Sequence, residues 1–390
     1  MQHSRAQHDV AIVGAGLAGL ATALALYKRD STLRIAIVSP EFSAQDKALG
    51  FGSNQPAIAS HPHFSKDHNL LSQWTSFCLP ENDRVLNAAF ECKPAIAPAR
   101  GRWVLAQTSA DATDLKARIE VFNAKVDGKF QAFWQANTGA FGAVWLPSAW
   151  AVAPLQLQGL WVQQLQEFGC VFLNGYAIQA SWNQGVTVHY KTESGETSFS
   201  ANKLVICSPA SLHALIRSAS RIVPIAECLP LVRWPGQSQL ELSPERSALF
   251  GSTTVQEKSY AIALGNNDWL VRDELEIAAK PFRGERWHSP DRLPFLGLMF
   301  DGDAIAANAM GLVKNDVLPL PKLENVYLNT AHGTRGLLSG IAGASVVADM
   351  LSGINTPMPQ ALSNALNPNR YVRRALREHF ANLQSNHDNQ

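Results

Sequence analysis

The first forty residues carry two apolar runs of different character. Asp9-Val-Ala-Ile-Val13 is short, β-branched and unbroken, the pattern of a strand buried on both faces, whereas residues 17–28, rich in Leu and Ala, predict a helix. A second run, Arg34-Ile-Ala-Ile-Val38, follows where a β-α-β unit needs its next strand. An apparent helix then passes through Leu70, Trp74 and Phe77, and residues 80–145 read as irregular, with strand-like pieces at 118–122 and 130–134. Pro154 opens an amphipathic helix to Phe168, because proline suits a first helical turn. Residues 170–173, 185–190 and 203–207 read as successive strands; alternation near Thr187 marks a half-exposed hairpin, and the apolar run 204–206 a buried parallel strand. Residues 216–320 break into short apolar pieces with more Pro and Trp, as in a mostly β second domain. A strand at 325–329, a glycine-containing turn and a helix of small apolar residues at 337–351 then repeat the strand-turn-helix logic of the N-terminus.

Between the first strand and helix lies Gly14-Ala15-Gly16-Leu-Ala-Gly19. At this spacing the first glycine allows a tight turn, the second lets the backbone approach a pyrophosphate, and the third permits close helix–strand packing. The phosphates sit at the helix N-terminus, where free N–H groups and the helix dipole favour negative charge. Residues 10–27 also have the length of a signal peptide or anchor, but three glycines in register and a following strand favour the nucleotide turn. The motif alone does not separate FAD from NAD. The end of the second strand, where an acid commonly binds ribose, holds Ser39, with Glu41 two residues on, so either Ser39 or Glu41 is the ribose contact.

The predicted fold class is therefore α/β, a Rossmann-type nucleotide domain into which a mostly β, α+β substrate domain is inserted. Residues 1–78, 150–215 and 322–356 are assigned to the first, 79–149 and 216–321 to the second, and 357–390 to a basic tail. Composition agrees: 390 residues with 46% hydrophobic and 17% charged side chains make a two-domain globular chain. A net charge of +1 points to neither nucleic acid nor an anionic membrane. The five cysteines, Cys78, Cys92, Cys170, Cys207 and Cys228, are odd in number and never in a C-x-x-C pair, which argues against a disulfide framework and for a reducing, cytoplasmic compartment. His61, His63 and His68 lack cysteine or paired carboxylate partners at ligand spacing, so a solvated loop is expected there and no metal.

The chain resembles the FAD-dependent amine and amino-acid oxidoreductases, the family of D-amino acid oxidase, glycine oxidase and sarcosine oxidase. The resemblance rests on the N-terminal glycine motif, Gly52-Ser-Asn-Gln55, the Pro154-x-x-Leu157 helix start, Asp291-Arg-Leu-Pro-Phe-Leu-Gly297 and the turn Gly333-Thr-Arg-Gly336, all in the family's order. Thr334-Arg-Gly-Leu337, followed by Ala365-Leu-Asn-Pro-Asn-Arg370 and Val372-Arg-Arg374, is similar to the oxidase half of the MnmC-type enzymes that finish a wobble-uridine modification in tRNA. This implies non-covalent FAD, since no cysteine follows Cys228 near the C-terminal flavin turn. It also implies a 5-carboxymethylaminomethyluridine substrate at tRNA position 34, oxidised at its glycine-like methylene to an imine that water splits into glyoxylate and 5-aminomethyluridine. A separate tRNA methyltransferase partner, or a chain cut from a longer protein, would complete the modification.

The resemblance implies cofactor contacts from Gly14, Ala15, Gly16, Gly19, Ser39, Asn54, Gln55, Gly333, Thr334, Gly336 and Leu337. Pro56 replaces a small residue expected in that loop, and the arginine often beside the glutamine is missing. Arg286 and Arg335 are the candidate catalytic residues, because a guanidinium fork matches a substrate carboxylate; the competing reading is an ordinary salt bridge. Asp291 is as well suited to tying a turn as to chemistry. Between 367 and 377 stand Arg370, Arg373, Arg374 and Arg377 with no acid, and the first three are expected to meet tRNA phosphate, the alternative being a solvated basic helix face. A free amino acid such as glycine or sarcosine is the alternative substrate, and a non-catalytic flavoprotein the third reading.

Overall fold

The computed structural model describes residues 6–40, 58–97, 99–182, 185–216, 225–242, 254–256, 260–265, 268–272 and 282–388. The strands in chain order are β1 (His8–Val13), β2 (Ile35–Ser39), β3 (Ile58–Ser60), β4 (Ala99–Leu105), β5 (Phe133–Gln135), β6 (Ala143–Val152), β7 (Val171–Asn174), β8 (Tyr176–Ser181), β9 (Val186–Thr192), β10 (Gly195–Ile206), β11 (Val232–Leu242), β12 (Thr254–Gln256), β13 (Tyr260–Gly265), β14 (Asp268–Arg272), β15 (Phe282–His288), β16 (Phe295–Phe300) and β17 (Lys322–Thr330). They form two sheets, one ordered β16-β17-β10-β1-β2-β7 with the β8–β9 hairpin on β10, the other ordered β15-β11-β14-β13-β12-β4-β6-β3 with β5 on β6.

In the first sheet β1 lies between β2 and β10, parallel to both, and β17 adds in parallel on β10. The centre of β1 and all of β2 are buried, which is why their apolar runs are continuous rather than alternating. Helix α1 (Leu17–Arg29) packs on one face of this sheet beside the helix Gly336–Leu351. Arg29 donates to Asp349 at 2.7 Å, joining the two helix ends, and Asn329 Nδ2 donates to Thr22 Oγ1 at 2.9 Å, joining β17 to α1. The hairpin β8–β9, β16 and the C-terminal residues Val372, Ala375 and Leu376 build the core on the other face.

Three regions differ from the sequence reading. Helix α2 (Leu70–Cys92) continues through Pro80 instead of giving way to irregular chain. An interior proline costs about 3 kcal/mol, but Trp74, Cys78, Leu79, Asn82, Leu86 and Ala89 keep one buried face across it, and that burial prevails. Residues 118–122 are the end of α3 (Ser109–Asn123), whose buried Ala112, Leu115, Ile119 and Phe122 follow a helical period; Thr108 caps it, accepting from Asp111 N. Two strands also pair across the assigned boundaries. β3, assigned to the nucleotide unit, pairs with β6 in the second sheet, and β16, assigned to the substrate unit, pairs with β17 in the first. Within the segment assigned as a basic tail, Gln360–Leu366 and Val372–Asp388 are helices, with Leu362, Leu366 and Leu376 buried. Among the described residues no helix is long and apolar enough to cross a membrane.

Candidate active site

The two sheets meet over the glycine turn. Gly14 has φ 99°, a conformation other residues rarely adopt, and a Cβ there would come within 3.0 Å of Ser208. Gly19 packs closer still: its Cβ would lie 1.8 Å from the carbonyl oxygen of Gly14. The turn therefore folds flat beneath the N-terminus of α1, where Gly16 is the N-cap and no side chain caps the helix. This leaves N–H groups for an anionic ligand.

From the second sheet, β15 crosses to the turn before Gly336–Leu351 through a bridge between His288 and His332. The crossing needs unusual backbone, since Ala331 has φ 64° and Gly333 φ 60°, and a Cβ on Gly333 would lie 3.1 Å from that of His288. A non-glycine residue in this region costs roughly 1–2 kcal/mol, and such strain collects where the fold over-determines a site. The crossing carries Arg286 and Trp287 to a cavity of about 390 Å³, whose lining also includes Gly14, Gly16, Ser39, Ser208, Gly333, Thr334, Gly336 and Leu337.

Burial holds two titratable groups of this cavity, Cys207 and His332, in their uncharged forms. Burial pushes the Cys207 thiol up to about 12, so it remains protonated. Burial likewise pushes His332 down to about 4, and its Nδ1 lies 2.8 Å from Ser339 Oγ, which accepts from Trp74 Nε1 at 2.8 Å. Both are uncharged near neutral pH, and Arg286 and the N-terminus of α1 border the same cavity.

A glycine turn beneath a helix N-terminus, buried Ser39 at the end of β2 and a second turn opening a helix border one cavity, an arrangement that suits a dinucleotide lying along it. The family described as "FAD dependent oxidoreductase" matches residues 9–350. The chain belongs to this family, and its cofactor is FAD. A tRNA 5-methylaminomethyl-2-thiouridine biosynthesis bifunctional protein MnmC from Pseudomonas putida (strain GB-1) is 25% identical over 94% of this chain and 60% of its own length. That from Pseudomonas putida (strain W619) is 37% identical over 97 residues, 24% of this chain and 15% of the relative. The chain thus spans at most about 60% of these curated relatives. Among solved structures, glycine oxidase from Geobacillus kaustophilus superposes with a TM-score of 0.70 at 17% identity, covering 94% of this chain and 100% of the other.

Within this flavoprotein family member, the expected contacts divide. Gly14, Gly16, Ser39, Gly333, Thr334, Gly336, Leu337 and Arg286 line one cavity. Ala15 is buried in the apolar core behind the turn, and Gly19 acts through packing. Asn54, Gln55 and Glu41 lie outside the described residues. Arg335 does not line the cavity; its Nη2 lies 3.3 Å from His63 Nδ1. The histidine loop is partly buried, with His61, His63 and His68 half-buried and Lys66 and Asp67 exposed; among the described residues no three potential ligands are grouped to hold a metal.

The C-terminal arginines need correction. Arg370 has a 10% exposed side chain, donates to both oxygens of Asp291 at 2.8 and 3.0 Å and to the Leu293 carbonyl at 2.9 Å, and lies 4.3 Å from the Phe295 ring centroid. Arg373 donates to the carbonyls of Leu312, Asn315 and Leu318. Both guanidiniums are consumed inside the fold, because the tail packs as helices whose cations meet loop carbonyls. Arg374 is 77% exposed and pairs with Glu378, and Arg377 pairs with Asp316. Asp291 ties its turn, accepting from Ser289 Oγ and Leu293 N.

Sequence reading missed Tyr176, Ser208, Pro209 and Trp287, all in the cavity lining. Ser208 had a signal: the parallel apolar strand ending at Ile206 must set its following turn beside that of β1. Tyr176 and Trp287 come from hairpin and sheet-crossing geometry that has no local signature.

Proposed function

We propose that this protein oxidatively removes the carboxymethyl group from 5-carboxymethylaminomethyluridine at tRNA position 34, giving 5-aminomethyluridine and glyoxylate. The observation that carries this reading is the alignment with MnmC over 94% of the chain. The first sheet would be the FAD-binding unit and the second the substrate unit. Bound FAD would supply the two-electron acceptor for the hydride of the substrate methylene.

The protein's own residues position and exclude. Arg286, half-buried on β15, holds the substrate carboxylate in its fork. The N–H groups at the start of Gly336–Leu351 would stabilise negative charge on a bound flavin. An imine between the methylene carbon and nitrogen then takes up water and splits at the C–N bond. A second reading, oxidation of free glycine or sarcosine, is favoured by the burial of Arg370 and Arg373, which removes two cations expected to meet tRNA.

Anaerobic bleaching separates the two. tRNA bearing the carboxymethylaminomethyl group should bleach the flavin, and free glycine and sarcosine should not; rapid bleaching by glycine with none by the tRNA overturns the first reading. Arg286→Met should raise KM for the accepted substrate by roughly 10-fold or more, the loss of one charge-assisted bidentate contact. An unchanged KM would remove Arg286 from the site.

A further inference from the structure

Five strands of the first sheet end side by side at the cavity. They run β17, β10, β1, β2, β7, each parallel to its neighbour. Their carboxyl ends lead into the lining: His332 follows β17, Ser208 follows β10, Gly14 follows β1, Ser39 ends β2, and Tyr176 follows β7. At about 4.8 Å per step, the four steps from β17 to β7 span roughly 19 Å. The glycine turn stands at the middle of this row, so a pyrophosphate held there has one half of the dinucleotide on either side. Arg286 belongs to the β17 side, because the bridge between His288 and His332 brings β15 to that end. The ends of β2 and β7 are left for the adenosine half.

Ser39 stands where an acid commonly binds the ribose, and its neutral hydroxyl makes a weaker hydrogen bond than a carboxylate. A ribose at Ser39 presents its base one strand further on, and that step is well defined. Ser39 pairs with Asn174, and Gly175 N donates to the Ser39 carbonyl at 3.2 Å. The chain then turns tightly into β8: a Cβ on Gly175 would lie 2.6 Å from the Lys191 carbonyl oxygen. The next residue is Tyr176, which lines the cavity and is 54% exposed. An aromatic side chain so exposed in a ligand cavity offers a face on which any planar base can stack.

We propose that Tyr176 is the stacking platform for the adenine of FAD and retains the adenosine half in place of an acid at position 39. The assignment concerns the cofactor, so it holds whichever amine is oxidised.

The test uses full-length apoprotein titrated with FAD and with FMN, which lacks adenine, followed by quenching of flavin fluorescence; AMP, which lacks the flavin, is measured as a competitor of FAD. Tyr176→Ala should weaken FAD roughly 10-fold or more and AMP by a similar factor, the loss of one base–aromatic stack. FMN should bind both proteins within about 2-fold, which also shows that the variant keeps its flavin site. Tyr176→Phe, which keeps the ring and removes the hydroxyl, should hold FAD within about 2-fold of the unaltered protein. Unchanged FAD affinity in Tyr176→Ala, or equal weakening of FAD and FMN, overturns the proposal. So does a Tyr176→Phe protein as weak as Tyr176→Ala, since a hydrogen bond and not a stack would then be at work.

Discussion

Gly19→Val is expected to yield protein that purifies almost free of flavin. The added Cβ would lie 1.8 Å from the Gly14 carbonyl oxygen, a backbone atom that cannot rotate aside, and valine adds two further methyl groups. Helix α1 must therefore move off β1, taking with it the N-terminus and the Gly14–Gly16 turn that border the cavity. Overpacking of this kind costs about 1–3 kcal/mol in stability. The effect on FAD should be of similar size, on the order of 100-fold in affinity or about 2.7 kcal/mol, because both the N–H groups and the dipole lose their alignment. The flavin-to-protein absorbance ratio of purified protein measures it. Gly159→Ala is the control: nothing lies within 4 Å of its Cβ position, so flavin should be retained, with a gain of about 0.5–1 kcal/mol from replacing glycine in a helix. Full flavin content in Gly19→Val would mean that the helix shift does not reach the phosphate site.

Arg370→Met should cost about 3 kcal/mol and lower Tm by on the order of 5 °C. The substitution leaves the Asp291 carboxylate without its charge partner and the Pro294 carbonyl without the Arg370 donor, and leaves the Leu293 carbonyl only Ser289 Oγ. Adding Asp291→Asn should recover part of the loss, since the remaining charge is then gone. The pH dependence gives a separate reading. Burial raises the Asp291 carboxyl, but the hydrogen bond and charge of Arg370, with Ser289 and Tyr371, outweigh it and hold the group below the ordinary carboxylate range. The pair's stabilisation is thus fully present above the unfolded value of about 3.9 and is lost as pH falls through the lower folded value. Thermal unfolding between about pH 2 and 5 should therefore fall less steeply in Arg370→Met than in the unaltered protein. Equal slopes, or an unchanged Tm near neutral pH, would show that Arg370 is not the anchor of this turn. Because the arginine is buried, the loss should be insensitive to salt, unlike that of a phosphate contact.

These two residues also mark what sequence reasoning reached. Gly14, Gly16 and Gly19 were legible because the tight turn, the phosphate approach and the helix packing each demand a missing Cβ at a fixed spacing, and the next strand lies close by in sequence. The buried strands β1, β2, β10 and β17 were legible for a similar reason: enclosure on both faces leaves a continuous apolar run. Arg370 illustrates the opposite case. Four arginines without an acid look like a surface for phosphate when only the local segment is considered, but Asp291 stands 79 residues earlier and reaches Arg370 only after β16 has joined the first sheet. The histidines at 61 and 63 follow the same logic, since their arginine neighbours come from β4 and from the turn at 335.

By itself, then, the sequence determined the nucleotide turn, the class of fold and the return of the chain to finish the first sheet, because these depend on backbone conformation and on periodic burial within short stretches. Tertiary structure alone decided which cations face a ligand and which face the protein. A guanidinium has the same charge in either place, and what it binds is settled by carboxylates and carbonyls brought to it from distant parts of the chain.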